Sequence, residues 1–521
     1  MIEKNIIGFS ISNKGDSYTQ GFNPKTGMTL DGNFSNASSE EVNLAVEKAK
    51  EAFEEYRNIS GKQKALFLNA IADEIESLGE ILIERCCQES GLPNARVIGE
   101  RGRTLGQLRM FAELVLEGSW LEATIETADL EREPIPKPDI RRMLVPMGPV
   151  VVFAASNFPL AFSTAGGDTA SALAGGNPVI VKAHSAHPGT SALVGSAIME
   201  AAKKTNMPDG VFSLLHGSGK VVGQSLISHA GVKAAGFTGS QKAGRILFDL
   251  ANQRKEPIPF FAEMGSVNPV LLLPNSLNIK TAEMLSTSIT MGAGQFCTNP
   301  GLLITLENEL LEKFIINLVS ALEKIEPGVM LTEKICKSYY NDLDLSLSNQ
   351  DVKVESKLID NNELNNATSV LVSTSGESFL KNPNLADEVF GPYSMIVKCK
   401  NKDELNNVIS SLNGQLTGTV FSSKEEMQSF MKPIHQLEKK VGRLIFNGVP
   451  TGVEVSSSMQ HGGPYPASSD SRFTSVGTMA IKRFVRPIAF QSWPHNELPD
   501  ELKNDNPLNI WRLMNGDWTK D

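Results

Sequence analysis

Two side chains of this sequence have the types and surroundings for covalent chemistry on a carbonyl group. Cys297 lies in Gly294-Gln295-Phe296-Cys297-Thr298-Asn299-Pro300-Gly301, among small, polar and turn-forming residues unlike those around a core thiol. Glu263 lies 34 positions earlier, in Phe261-Ala262-Glu263-Met264-Gly265-Ser266-Val267-Asn268-Pro269. A thiolate attacks a carbonyl carbon, and a carboxylate can then activate the water that releases the acyl group. The glycines beside both residues leave room for a substrate and a cofactor. A free thiol titrates at about 8.5, so attack at neutral pH needs local electrostatic help.

Each neighbouring signal has a plainer reading as well. Glu263 follows the apolar run Ile258–Ala262, which suits a general base at the end of a buried strand or a glutamate capping a helix. Asn157, in Ser156-Asn157-Phe158-Pro159-Leu160, can donate to a developing oxyanion or simply serve a turn. Cys86, Cys87 and Cys399 fall in helical or strand-like patterns and read as packing thiols, and Cys336 has no distinctive context. His216-Gly217-Ser218-Gly219-Lys220 begins like a phosphate loop but lacks the spacing of a P-loop and of the strict dinucleotide pattern. Phe237-Thr238-Gly239-Ser240 follows a strand and opens a helix, where backbone N–H groups suit a pyrophosphate.

The elements that must position these residues are legible in outline. Residues 38–120 read as helices, the first opened by a capping box of Ser38 and Glu41 and the second by Ser60 with Gln63. Residues 121–146 carry alternating charges and four prolines and read as an arm or hairpin. From residue 147 short apolar runs alternate with glycine turns and helices. Strands are predicted at 150–154, 179–182, 211–215, 233–237, 260–262 and 270–273, which makes an α/β fold with a mostly parallel sheet covered on both faces. A second α/β stretch covers about 280–470, strand character returns over 474–490, and the polar end beyond Pro494 is uninformative.

Composition narrows the function class. The 521 residues allow two or three domains. A formal net charge of −10 argues against a nucleic-acid binder. No apolar run has membrane-spanning length, and the N-terminus lacks the pattern of a secretory signal. The five cysteines form neither a disulfide framework nor a zinc pattern. The expectation is a reduced, cytoplasmic protein without a resident metal, acting on a small molecule.

Taken together, the motifs resemble the aldehyde dehydrogenase superfamily over about residues 25–495. They are Ser156–Leu160, Lys182, Phe237–Ser240, Glu263-Met264-Gly265, Gly294–Cys297 and Glu388-Val389-Phe390-Gly391-Pro392. The resemblance implies Cys297 as nucleophile, Glu263 as general base and Asn157 as oxyanion donor. It implies a cofactor, NADP or NAD, held by Lys182, Ser185, Gly217, Gly239, Ser240, Glu388 and Phe390. It also implies two Rossmann-like α/β domains, with residues 1–122 and 147–257 binding NAD(P) and 258–470 carrying catalysis. A small β element of 123–146 and 471–496 would join copies into a homodimer or homotetramer, and 497–521 would be a C-terminal tail.

Within the superfamily, Gly99–Thr104 with Gln107–Arg109, Gln295–Gly301, and Thr451–Val455 with His461–Pro466 resemble α-ketoglutaric semialdehyde (2,5-dioxovalerate) dehydrogenases. NADP-dependent medium-chain and fatty-aldehyde enzymes share much of this texture and remain the alternative. A non-catalytic binding or structural relative is a further alternative that the intact Cys297, Glu263 and Asn157 set disfavours. Two departures from the wider family matter. Its Glu-Leu-Gly-Gly-Lys is Glu263-Met264-Gly265-Ser266-Val267 here, and its acidic residue three positions after the cofactor lysine is Ser185. Losing that carboxylate removes the repulsion of a 2′-phosphate, so NADP is the expected preference. By the same resemblance, Arg103, Phe158 and Met291 border the substrate tunnel, with Arg103 binding a distal carboxylate.

Overall fold

The computed structural model describes residues 1–357 and 363–521. Four consecutive helices, Ser39–Tyr56, Gly61–Ser77, Gly79–Ser90 and Asn94–Glu117, pack beside the first of two seven-stranded sheets. The first helix begins with the expected reciprocal cap. Ser38 Oγ accepts from the Glu41 N–H at 3.2 Å, and Glu41 accepts from the Ser38 N–H at 2.9 Å. Val42, Ala45, Val46, Ala49 and Tyr56 bury one face of that helix. In the second helix Phe67, Leu68, Ile71 and Ile75 are buried and Leu66 is exposed.

The first sheet runs Phe260–Glu263, Ala234–Thr238, Val150–Phe153, Val179–Lys182, Phe212–Leu215, Asn5–Ile7, Ser10–Ser12 in spatial order. Its first five strands are parallel, and every residue of the central three is buried. Such strands need helices on both faces, and their loops then gather at the C-terminal edge. Phe153 is in register with Lys182, and Thr238 with Glu263. The Asn157, Lys182, Gly239 and Glu263 segments therefore all leave the sheet at one edge.

The second sheet runs Lys353–Val354, Val370–Ser375, Tyr393–Cys399, Leu302–Leu306, Val270–Leu272, Gln415–Phe421, Val441–Phe446, and only the first of these strands is antiparallel. The strand carrying Glu263 belongs to the first sheet and Val270–Leu272 to the second, so the passage between sheets falls at residues 264–269, a few positions beyond the expected boundary at 257/258.

A third sheet projects from this body. Thr124–Glu126 and Ile140–Pro146 form the expected hairpin, and Val485–Gln491 pairs along its outer side. Residues 478–484, expected to have strand character, are a 3-10 helix instead. The stretch 497–521 is more than a tail. Arg512–Met514 pairs with Thr124–Glu126, and Asp517–Thr519 pairs with Arg512–Met514. Arg512 is fully buried, its guanidinium donating to the carbonyls of Lys503, Asn504 and Asp521, which ties the chain end down. Among the described residues no helix is long and apolar enough to cross a membrane.

Candidate active site

Cys297 sits in a loop held from behind by a buried amide network. Asn268, fully buried and at φ +46°, donates from Nδ2 to the carbonyls of Cys297 at 2.8 Å and Asn299 at 2.9 Å. Gln415 Oε1 accepts from Ser266 Oγ and the Val267 N–H, which fixes the passage between the sheets. Gly294, at φ +69°, is obligatory, because a Cβ there would stand 2.1 Å from the Gly391 carbonyl carbon. That contact joins the cysteine loop to the Glu388–Pro392 segment.

Glu263 ends its strand 4% exposed. Its Oε2 accepts from Ser475 Oγ at 2.9 Å, and its Oε1 lies 3.0 Å from His461 Nε2. Burial alone would raise its pKa; His461, Cys297 and Ser475 outweigh burial and hold the carboxyl below its ordinary range. The Cys297 thiol is pushed well above its ordinary value by burial first and by the Glu263 charge second. The resting group is therefore a thiol, and any chemistry of its thiolate requires loss of that proton.

His461 is the functional residue whose role sequence reasoning missed. It lies 3.6 Å from Cys297 Sγ, touches Glu263, and is 1% exposed. Its backbone is pinned by Thr474 Oγ1 and by the Ser475 N–H. The sequence includes it in the stretch His461–Pro466, but a histidine 164 positions from the cysteine carries no spacing signal.

Asn157 is set by the helix Asn94–Glu117. Buried Glu100 accepts the N–H groups of Leu160 and Ala161 at 2.9 and 3.0 Å and thereby anchors the Asn157 loop. Asn157 Nδ2 donates to the Gln295 carbonyl at 3.0 Å, two residues before Cys297, and one N–H of the amide remains beyond that bond. Phe158 packs edge-on against Phe296 and Phe162, with ring centres 5.2 and 5.3 Å away, so the approach to Cys297 is aromatic. Met291 is 39% exposed at the end of the helix preceding the cysteine loop.

The helix carries four arginines: Arg96 is paired with Glu100 at 3.1 Å and lies over the Phe158 ring, and the other three separate cleanly. Arg109 is half-exposed and paired with Asp73 and Glu76, while Arg101 donates to the Gly79 carbonyl. Arg103 lies 5.5 Å from the Phe162 ring and donates from Nη1 to the Val453 carbonyl at 2.7 Å. Its Nε and Nη2 are buried with no hydrogen-bond partner among the described residues. Two unpaired guanidinium donors cost free energy until an acceptor arrives.

The residues expected to hold the cofactor surround the same sheet edge. Lys182 is 7% exposed and has no carboxylate within ion-pair distance among the described residues; burial lowers its pKa to about 8. A buried ammonium in that condition suits an incoming hydroxyl or phosphate. Ser185 is exposed nearby in the chain, and Gly217 turns at φ +131° after the strand Phe212–Leu215. The Gly239 N–H is taken by the Glu263 carbonyl at 3.1 Å, and Ser240 caps the helix Gln241–Gln253 through its Oγ. The first turn of that helix is the anion-binding end. Glu388 and Phe390 line a cleft shared with Ser266, Gly294 and Phe296. The Glu388 carboxylate lies against Gly265, where a Cβ would come within 2.1 Å of Oε2, and burial raises its pKa to about 7. The residues thus fit a nicotinamide dinucleotide: an anion-binding helix end, an unpaired buried cation and a carboxylate at the cysteine.

Comparison with known proteins agrees with this geometry. The family described as "Aldehyde dehydrogenase family" matches residues 11–336. The chain is 48% identical over 504 residues to α-ketoglutaric semialdehyde dehydrogenase 2 of Azospirillum brasilense, covering 95% of each chain. It is 45% identical to α-ketoglutaric semialdehyde dehydrogenase of Acinetobacter baylyi, covering 93% of this chain and 92% of that one. Among solved structures, betaine aldehyde dehydrogenase of Staphylococcus aureus in complex with NAD+ superposes with a TM-score of 0.81 at 18% identity, covering 95% of this chain and 98% of that one. The 1-pyrroline-5-carboxylate dehydrogenase from Thermus with bound NAD gives a TM-score of 0.78 at 20% identity, covering 94% and 92%. The chain belongs to the aldehyde dehydrogenase family and is an oxidoreductase that acts on aldehydes with a nicotinamide cofactor.

Proposed function

We propose that this enzyme oxidises 2,5-dioxopentanoate, the semialdehyde of 2-oxoglutarate, to 2-oxoglutarate, and that it uses NADP in preference to NAD. The observation that carries the substrate is Arg103, with two buried donors unpaired among the described residues and its guanidinium beside an aromatic wall. A distal carboxylate accepts both donors at once. The two relatives at 45–48% identity, both named for this semialdehyde, support the same reading. The rival substrate, a medium-chain aliphatic aldehyde, gains from the aromatic walls but leaves those donors unpaired. For the cofactor, Ser185 places no charge against a 2′-phosphate, and Lys182 supplies a buried cation.

The roles follow from the geometry. Cys297 Sγ attacks the aldehyde carbon, and its proton passes by way of the Glu263–His461 pair that touches it to solvent, which leaves Glu263 ionised for the later step. The oxyanion of the thiohemiacetal faces the free N–H of Asn157 and the Cys297 backbone N–H. A bound nicotinamide would supply the hydride acceptor, and Cys297 would then carry the acyl group as a thioester. Glu263, kept ionised by His461 and Ser475, draws a proton from water, and the hydroxide releases the acid and regenerates the thiol. The product carboxylate is not electrophilic, so the reaction runs one way. Lys182, Ser185, Gly217 and the Gly239-Ser240 turn would hold the dinucleotide end of the cofactor, and Glu388 and Phe390 would hold its nicotinamide ribose.

Self-association is part of the proposal. Val441–Phe446 is the edge of the second sheet, with Leu444 and Phe446 exposed, and Val485–Gln491 is the edge of the third, with Pro487 facing outward. Two open edges invite strand pairing between copies, giving a homodimer or a dimer of dimers. A monomeric mass by light scattering at micromolar concentration overturns that part. The substrate reading is tested by kcat/KM of the wild type for 2,5-dioxopentanoate, succinic semialdehyde and hexanal with each cofactor. The diacid semialdehydes lead with NADP if the proposal holds; a lead for hexanal, or a far better value with NAD, overturns the corresponding half.

A further inference from the structure

Cys297 Sγ, His461 Nε2 and a Glu263 carboxylate oxygen converge so that all three lie within 4.8 Å of one another, the only such group of three metal-ligand types among the described residues. We propose that this trio is also a capture site for a borderline divalent cation, Zn²⁺ above all, and that capture switches the enzyme off reversibly. The inference depends on the geometry alone, so its failure would leave the aldehyde chemistry untouched.

Three observations carry it. The first is the donor set: thiolate, imidazole and carboxylate are the side chains zinc selects, whereas Mg²⁺ and Ca²⁺ prefer sites of oxygen alone. The second is spacing. With Zn–S of about 2.3 Å and Zn–N and Zn–O of about 2.0–2.1 Å, a tetrahedral ion holds S and N about 3.5 Å apart and N and O about 3.3 Å apart. The site has Sγ and Nε2 at 3.6 Å and Nε2 and Oε1 at 3.0 Å. For these two pairs capture asks for shifts of a few tenths of an ångström, and the third pair, Sγ and the Glu263 oxygen, lies within 4.8 Å, on backbones already pinned by Asn268, Thr474 and Ser475. The third is incomplete satisfaction. Glu263 Oε1 is buried without a hydrogen bond of good geometry among the described residues, while Oε2 is oriented by Ser475. An ion would complete that oxygen.

Charge supports the same assignment. A thiolate and a carboxylate cancel the two positive charges of the ion, so the buried complex is neutral apart from Arg103 nearby, which limits affinity. On binding, the Cys297 S–H bond breaks and an S–Zn bond forms. The proton passes to solvent and no electrons are transferred. The three protein ligands leave a fourth position for water. With Sγ coordinated, no nucleophile remains for the aldehyde.

The test uses the full-length enzyme without cofactor and ZnCl₂ alone as probe. Calorimetry should give one ion bound per chain with release of a proton, and chelation with EDTA should restore activity. Iodoacetamide alkylation of Cys297, followed by mass spectrometry, should slow at least tenfold with Zn²⁺ and not with Mg²⁺. His461→Asn and Glu263→Gln should each weaken Zn²⁺ binding at least tenfold. Unprotected Cys297, or wild-type affinity in both variants, overturns the proposal and places any inhibition on another thiol such as half-buried Cys87. The alkylation arm uses wild type only and decides the matter even if a variant fails to fold.

Discussion

The nucleophile side of the active site and its cofactor side are built on opposite principles. Around Cys297 the loops that carry the reacting groups are fixed by protein hydrogen bonds, and the open positions are single atoms such as Glu263 Oε1 and Arg103 Nε and Nη2. Asn268 holds the loop, Gln415 holds Asn268's neighbours, Ser475 orients Glu263, and Glu100 fixes the Asn157 turn. On the cofactor side the chemistry is left open: Lys182 is buried with no carboxylate at ion-pair distance among the described residues, and half-buried Glu388 has its pKa raised to about 7 by desolvation. The difference teaches which parts must be exact before substrate arrives and which are completed by binding. Preorganised donors serve bond-making steps, because reorganisation then costs nothing at the moment of reaction. Unsatisfied charges serve affinity, because a ligand that pairs them repays their burial.

Three experiments probe this contrast, beginning with the largest effect. Asn157→Ala removes a preorganised donor and should lower kcat by about 10²–10³ with little change in cofactor affinity; a loss confined to cofactor KM would erase the distinction between the two sides. Ser185→Glu places a carboxylate where a 2′-phosphate would lie. It should cut kcat/KM for NADP at least about tenfold and spare NAD, since like charges in a cleft cost several kcal/mol. Unchanged selectivity would remove Ser185 from the site. The smallest effect is on pH. Glu388 is protonated below about pH 7 because burial disfavours its charge, and only the carboxylate accepts a pair of ribose hydroxyls. Cofactor affinity should therefore rise as pH increases through about 7, by less than about tenfold from pH ~6 to ~8, and Glu388→Gln should flatten the slope in a fluorescence titration.

Local signals reached the fold more readily than the site's second layer. The capping box at Ser38 and the buried strands at 150, 179 and 212 follow from short-range pattern, and the structure has them within a residue or two. The exposed Leu66 and the 3-10 helix at 478–484 do not follow, because tertiary packing decides which apolar residues find a neighbour. Residues 497–521 look polar and unstructured, yet the fully buried Arg512 and a parallel pairing with 124–126 build them into a sheet. In the site, Cys297 and Glu263 stand out by their flanking glycines. His461, Asn268 and Gln415 do not, since their meaning lies in contacts spanning 29 to 164 positions. Arg103 was distinguishable from Arg101 and Arg109 by resemblance, and the structure separates them physically by what each guanidinium already holds.

The central claim, that the unpaired donors of Arg103 select a substrate with a distal carboxylate, is tested most directly by one ratio. We would measure kcat/KM for 2,5-dioxopentanoate relative to hexanal, with saturating NADP, in the wild type and in Arg103→Leu. Removing one partner of a buried charge pair costs about 2–5 kcal/mol. The account predicts that the ratio falls by about 30-fold or more in the variant while the hexanal value holds steady or rises. A ratio unchanged by the substitution would contradict it and move the carboxylate, or the substrate, elsewhere.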